Sequence, residues 1–188
     1  MEIYRVTELI RGKSKNNKPF RVYASAYLGT MFHEKMKEFL QSSNRGKGKY
    51  IEKTISIFGV SSAKTIKSQI LGTPDLFWFH GDTLHITDWK TATAKSYKSN
   101  LTYWWNQVFF YAYMILLNYP RQINKIKFKI EVFQRLETFA EILKNPITVL
   151  ERECLTSEIS TNLPKYIKSK ITSYYFVGSP AITIKQKN

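Results

Sequence analysis

The stretch 72–91, GTPDLFWFHGDTLHITDWKT, has few ways to fold other than as a β-hairpin. Leu76, Phe77, Trp78 and Phe79 form one apolar run, His80, Gly81 and Asp82 bring turn chemistry, and Leu84, Ile86 and Trp89 carry a second run. In an antiparallel pair the start of one strand lies beside the end of the next. Asp75 opens the first strand, and Asp88 and Lys90 close the second, so all three come to the same end of the hairpin. There the two carboxylates are close enough to share a cation. The chain has three aspartates, Asp75, Asp82 and Asp88, all inside this stretch, although its formal net charge is +15. So basic a chain that gathers its aspartates in one hairpin is building a site there.

A hydrophobic fraction of 43% over 188 residues suits one domain with a real core, and 15% aromatic residues argues against disorder. Lys and Arg number 29 against 14 acids, which points to a polyanionic partner: nucleic acid first, an anionic membrane surface second. Cys154 is the only cysteine, which excludes an internal disulfide and any four-cysteine metal or iron–sulfur site. The N-terminal MEIYRVTELIR is too charged for a secretory signal, and the longest apolar run, 108–117, is too short to span a bilayer. A soluble intracellular protein is expected, in the cytoplasm of a cell or infected host or in an organelle.

Around the hairpin, residues 1–10 mix Ile3, Val6, Leu9 and Ile10 with charges in the manner of a short helix. Residues 11–19 and 42–49 are basic, turn-rich loops. Over 24–41, Tyr27, Met31, Phe32, Met36, Phe39 and Leu40 follow one helical face, with Ser25 as N-cap and His33 close to the stripe. A lone histidine so placed is more often a core or boundary residue than a ligand. Residues 50–60 and 65–71 alternate as strands, so 50–90 reads as a four-strand meander. After a polar linker over 92–100, residues 101–118 form a helix that is apolar nearly all round and should be buried against the sheet. Gln107 and Tyr111 share one of its faces. Residues 125–133 alternate as a strand, Pro146 opens a helix over 147–160, a second helix covers 165–172, and 174–177 and 182–184 are short strands. With no repeat and no dividing linker, 1–188 is expected to form one domain. Its core spans about 24–133, and 134–188 adds a helical and short-strand extension.

Two carboxylates at neighbouring strand ends, with a lysine two residues past the second, suit divalent-metal hydrolysis. Hard oxygen ligands favour Mg²⁺ or Mn²⁺. Residues i and i+2 of a strand face the same side, so Asp88 and Lys90 point into one site, while Trp89 points into the core and offers the ion only its backbone carbonyl. Lys90 can hold the attacking water or stabilise the pentavalent transition state. Pro74–Asp75, twelve residues, then Asp88-Trp89-Lys90 resembles the signature of the PD-(D/E)XK nucleases. Three further features resemble that superfamily's RecB-like branch: Gly29-x-x-x-His33 on a helix, Gly72-x-x-Asp75, and Gln107-x-x-x-Tyr111 on a helix.

The resemblance spans residues 29–111, in family order. It implies a restriction-endonuclease-like α/β fold, a mixed central β-sheet flanked by α-helices. It also implies metal ligation by His33, Asp75, Asp88 and the Trp89 carbonyl, with Asp75, Asp88, Lys90 and Gln107 as the catalytic set. Tyr111, Lys95 and Lys98 would support the site or contact DNA. Members with a four-cysteine iron–sulfur cluster differ from this chain, which is more similar to small stand-alone members such as viral RecB-like nucleases. The expected partner is DNA, single-stranded or at ends, and no membrane. A second copy of the chain, or a replication or recombination protein, stays open as a further partner. Two rivals stand beside the deoxyribonuclease: a metal-dependent RNA endonuclease on the same core, and a non-catalytic nucleic-acid-binding module with a vestigial site. Trp104 and Trp105 read as core or rim, His80 and His85 as surface residues at the far end of the hairpin, and Glu34 and Glu52 fall outside the ligand set.

Overall fold

The computed structural model describes residues 1–11, 20–93, 96–134, 146–171 and 175–179. The expected α/β fold of mixed β-sheet flanked by helices is what the chain adopts, with its strands divided between two sheets. In chain order the elements are β1 (Glu2–Arg5), α1 (Val6–Arg11), α2 (Phe20–Ser42), β2 (Tyr50–Ile51), β3 (Ile55–Val60), β4 (Ile66–Gly72), β5 (Leu76–His80), β6 (Thr83–Ala92), α3 (Tyr97–Asn118), β7 (Lys125–Gln134), β8 (Pro146–Leu155), α4 (Thr156–Lys168) and β9 (Tyr175–Gly178). One sheet has the order β1-β4-β3-β9 and the other β2-β5-β6-β7-β8.

The hairpin forms as its alternation and turn residues dictate. β5 and β6 pair antiparallel from Leu76↔Thr87 to His80↔Thr83, and Gly81 takes the positive φ of 58° that the tight turn needs. Asp82 is a tie rather than a site residue: its carbonyl and carboxylate accept from the Asn124 backbone and side-chain amides, which fastens the hairpin tip to the start of β7. β7 lies parallel to β6, and a parallel neighbour needs a long crossover. That crossover is α3.

Helix α3 is wedged between the sheets, against β3 and β9 on one side and β6 and β7 on the other. This is why it is apolar nearly all round: Trp104, Trp105, Val108, Phe110, Ala112, Met114 and Ile115 are all buried. They join Ile57, Ile70, Phe77, Leu84, Ile86, Ile126, Phe128 and Ile130 in the main core. Each full-sized apolar side chain so buried contributes roughly 1.5–3 kcal/mol. The opposite face of β6 turns Trp89 toward α2, where Phe32, Met36, Leu40, Leu76 and Phe133 enclose it in a smaller second core.

Several expectations are corrected. Residues 2–5 form a strand rather than the start of a helix, because β1 finds the edge of β4 and pairs parallel to it. Helix α2 begins at Phe20, so Ser25 lies inside it and is no N-cap. Tyr27 and Met31 are exposed, because α2 meets the sheet only along the stripe Phe32, Met36 and Leu40. The strand 50–60 is broken by a positive φ of 45° at Glu52, and the meander is cut at 73–75, where Pro74 has no amide hydrogen to donate to a ladder. The single central sheet is therefore two. The linker shrinks because β6 runs to Ala92 and α3 begins at Tyr97.

The helix expected over 147–160 is instead strand β8 followed by α4. The β-branched run Ile147, Thr148 and Val149 favours an extended backbone, and Glu153 pairs across to Lys125 and Lys127 at 2.9 and 3.7 Å. The basic loop 12–19, Tyr174 and the strand expected at 182–184 lie outside the described residues. No described helix is long and apolar enough to cross a membrane.

Candidate active site

The hairpin register that sets Leu76 opposite Thr87 puts Asp75 and Asp88 at the same end of β5 and β6. Asp75 lies just before its strand, where one carboxylate oxygen accepts the Trp89 backbone N–H at 2.6 Å. Its other oxygen lies 3.2 Å from His33 Nδ1, on α2. His33 reaches it because its neighbours Phe32 and Met36 pack α2 onto β6 around Trp89. Asp88 and Lys90 point to the other side of β6 from Trp89, and Lys90 Nζ is 2.6 Å from Asp88 Oδ2. Asp88 is 1% exposed, and its Oδ1 has no hydrogen-bond partner among the described residues. Trp89 is locked by its indole N–H, which donates to Glu131 at 3.1 Å. Gln107 and Tyr111, both buried on α3, are joined by the Gln107 amide donating to the Tyr111 hydroxyl at 2.7 Å.

The electrostatics follow from burial and neighbours. Burial, only partly offset by Lys90, and the added charge of Asp75 push the Asp88 carboxyl up to about 7. Asp75 is also buried, yet the His33 hydrogen bond, with further help from Lys90 and the Trp89 N–H, holds it below the usual carboxylate range. Burial works against the charged forms of His33 and Lys90. Asp75 outweighs it for His33, and Asp88 and Asp75 outweigh it for Lys90, so both cations are held above their ordinary values. Tyr111 is pushed up strongly by burial and by the Asp88 charge, which keeps its hydroxyl protonated.

The structure therefore gathers His33, Asp75, Asp88, Trp89 and Lys90 at one strand end and pairs Gln107 with Tyr111. Among the described residues no three His, Cys, Asp or Glu side chains converge as a ready-made metal cluster. His33 is engaged with Asp75, and Lys90 is seated on Asp88. The donor set still fits a hard cation: among the described residues the buried Asp88 Oδ1 atom has no donor, and Asp75, whose oxygens are hard ligands too, lies at the same strand end. Lys98 is exposed on the first turn of α3, and Lys95 lies outside the described residues. Trp104 and Trp105 are buried core residues, and His85 stacks on Trp78 at the far end of the hairpin.

Glu52, outside the expected ligand set, stands beside the site. β2 sets Ile51 opposite Leu76, so Glu52 falls next to Asp75 and donates its N–H to the Asp75 carbonyl at 2.8 Å. Its carboxylate lies 3.9 Å from His33 Nδ1 and 3.5 Å from Lys37. A two-residue strand ending in a positive φ leaves no periodic signal by which the sequence reveals this.

The fold is similar to that in the crystal structure of SSO0001, with a TM-score of 0.51 and 15% identity over 93% of this chain and 79% of that one. At that identity the likeness concerns the fold alone. No protein-family model matches the sequence, and no curated protein does either.

Proposed function

We propose that the chain is a Mg²⁺- or Mn²⁺-dependent deoxyribonuclease of the RecB-like PD-(D/E)XK kind, acting on single-stranded DNA or DNA ends. The observation that carries this reading is Asp88, a fully buried carboxylate with one oxygen lacking any donor among the described residues and the other against a lysine, next to Trp89, whose backbone N–H holds Asp75 beside His33. Burying such a group costs stability unless something pairs with it. A hard divalent cation on its free oxygen is the partner that offsets that cost and gives the group a use.

Asp75, Asp88, His33 and the Trp89 carbonyl would hold the ion. When bound, it lowers the pKa of a water and neutralises charge growing on the phosphoryl oxygens. The other roles fall to side chains already in position. Lys90, held protonated, donates to the attacking water or to a phosphoryl oxygen and acts as a cation rather than a base. The Trp89 N–H fixes the rotamer of Asp75, and Glu131 fixes Trp89 in turn. Gln107, with one amide hydrogen on Tyr111, keeps its carbonyl and second amide hydrogen for the substrate strand. Lys98 adds to the field that draws a phosphate backbone.

The test is digestion of labelled single-stranded DNA, double-stranded DNA and RNA with Mn²⁺, with Mg²⁺ or in EDTA. DNA cleavage with either metal and none in EDTA is expected. Cleavage of RNA alone would replace this reading with the RNA endonuclease, and DNA binding without turnover would replace it with the non-catalytic module.

A further inference from the structure

A cleft of about 390 Å³ opens where the end of the four-stranded sheet abuts the carboxylate-bearing end of the hairpin. Its floor is Val6, Gly72 and Tyr111, and its rim carries Arg5, Thr7, Thr54 and Thr73. Strand register brings these rim groups together. β1 runs parallel to β4 with Arg5 beside Leu71, four residues before Asp75. β3 runs antiparallel with Ile55 opposite Gly72, which puts Thr54 against Thr73, their hydroxyls 3.0 Å apart.

The cleft borders the candidate site on two sides. Thr73 is two residues from Asp75, and Thr54 is two residues from Glu52, which bonds the Asp75 carbonyl. Tyr111, on the floor, stands between the cleft and the carboxylates, close enough to Asp88 and Asp75 to feel both charges. Gly72 is what lets Tyr111 lie there: a Cβ at residue 72 would meet Met114 Sδ, Val6 Cγ2 and Tyr111 Cε1 at 2.9–3.1 Å. Arg5 is exposed, and its guanidinium forms no ion pair among the described residues; Glu8 accepts only from the Arg5 backbone N–H, at 2.9 Å. Among the described residues the cleft thus presents a cationic fork free of ion pairs and three threonine hydroxyls, and no carboxylate lines it.

We propose that Arg5, Thr54 and Thr73 form a subsite for a phosphodiester neighbouring the scissile one, so that the substrate strand passes over Tyr111 between this cleft and the Asp88–Lys90 pair. The inference rests on the nuclease reading and extends it by assigning the strand's path. A guanidinium suits a phosphate because its planar fork donates two parallel hydrogen bonds, which a lysine cannot reproduce. The threonine hydroxyls, bonded to each other at rest, can each turn a hydrogen or a lone pair without rearranging the backbone.

The test is binding of a labelled single-stranded DNA oligonucleotide in EDTA across a salt series, together with its cleavage in Mn²⁺, by wild type, Arg5→Ala, Arg5→Lys and Lys67→Ala. Lys67 is an exposed lysine further back along β4 and controls for loss of one charge. Arg5→Ala is expected to weaken binding about tenfold and to lower the slope of log K against log salt by about one. Arg5→Lys should keep the slope while losing part of the affinity, and Lys67→Ala should change neither. Replacing single phosphodiesters by neutral methylphosphonates should weaken wild type at one position and leave Arg5→Ala indifferent there. If wild type binds and cuts while Arg5→Ala matches it, the subsite is wrong and the nuclease reading stands. If wild type neither binds nor cuts, both fall together.

Discussion

Asp88→Asn is expected to remain folded and to lose DNA cleavage by about 10³-fold or more. The substitution keeps the shape of a buried side chain and removes only its charge, at the atom the proposed ion needs most. Lys90 then loses its counter-ion, but its side chain is 15% exposed and can turn its ammonium to water. Stability should therefore shift little beside the loss of activity. A near-native melting temperature with abolished turnover, in both Mn²⁺ and Mg²⁺, is the predicted pattern. Equal cleavage by the variant and wild type would put the chemistry elsewhere in the chain.

The metal-free protein should be less stable at pH 8 than at pH 5.5. The sign follows from Asp88, whose folded pKa of about 7 lies well above its unfolded value near 3.9. In that window the folded state binds the proton more tightly than the unfolded state, so its contribution is lost as pH rises through 7. His33, also raised, acts in the same direction above its ordinary value, whereas Asp75, lowered, loses its contribution only on acidification below about 4. Between pH 5.5 and 7 the Asp88 contribution amounts to about 2 kcal/mol. For a domain of this size that is a drop of about 4–8 °C in melting temperature, read in EDTA. Asp88→Asn should flatten the profile, and Mn²⁺ should raise the wild-type value at pH 8 by binding the ionised form. A wild type in EDTA that melts higher at pH 8 than at pH 5.5 would show that Asp88 ionises freely in the fold.

The parts of the fold legible in the sequence are those where one local pattern had no competitor. The hairpin declared itself through period-two alternation around Gly81, and with it the shared end of Asp75 and Asp88. The Asp88–Lys90 contact followed from the pleat alone. Helix α3 was legible because an all-round apolar run of that length must be enclosed, though nothing local said that two sheets would enclose it. β8 is not legible locally, because its exposed Val149, Glu151 and Glu153 are compatible with a helix surface and only pairing with the lysines of β7 decides the matter. Tyr27 and Met31 fit an apolar stripe, yet they lie beyond the part of α2 that meets the sheet. At the site, Glu52 and Glu131 reach Asp75, His33 and Trp89 through a two-residue strand and a cross-strand contact, relations of tertiary register that spacing along the chain does not encode. Lys95, expected to contact DNA, lies outside the described residues.

The central claim is that these carboxylates hold a divalent cation, and binding of Mn²⁺ followed by electron paramagnetic resonance in the absence of nucleic acid tests it most directly. Wild type should take up Mn²⁺ saturably, with the free-ion signal quenched until the site fills, and Asp75→Asn and Asp88→Asn should each lose that uptake. No uptake by wild type, or unchanged uptake by both variants, would contradict the claim.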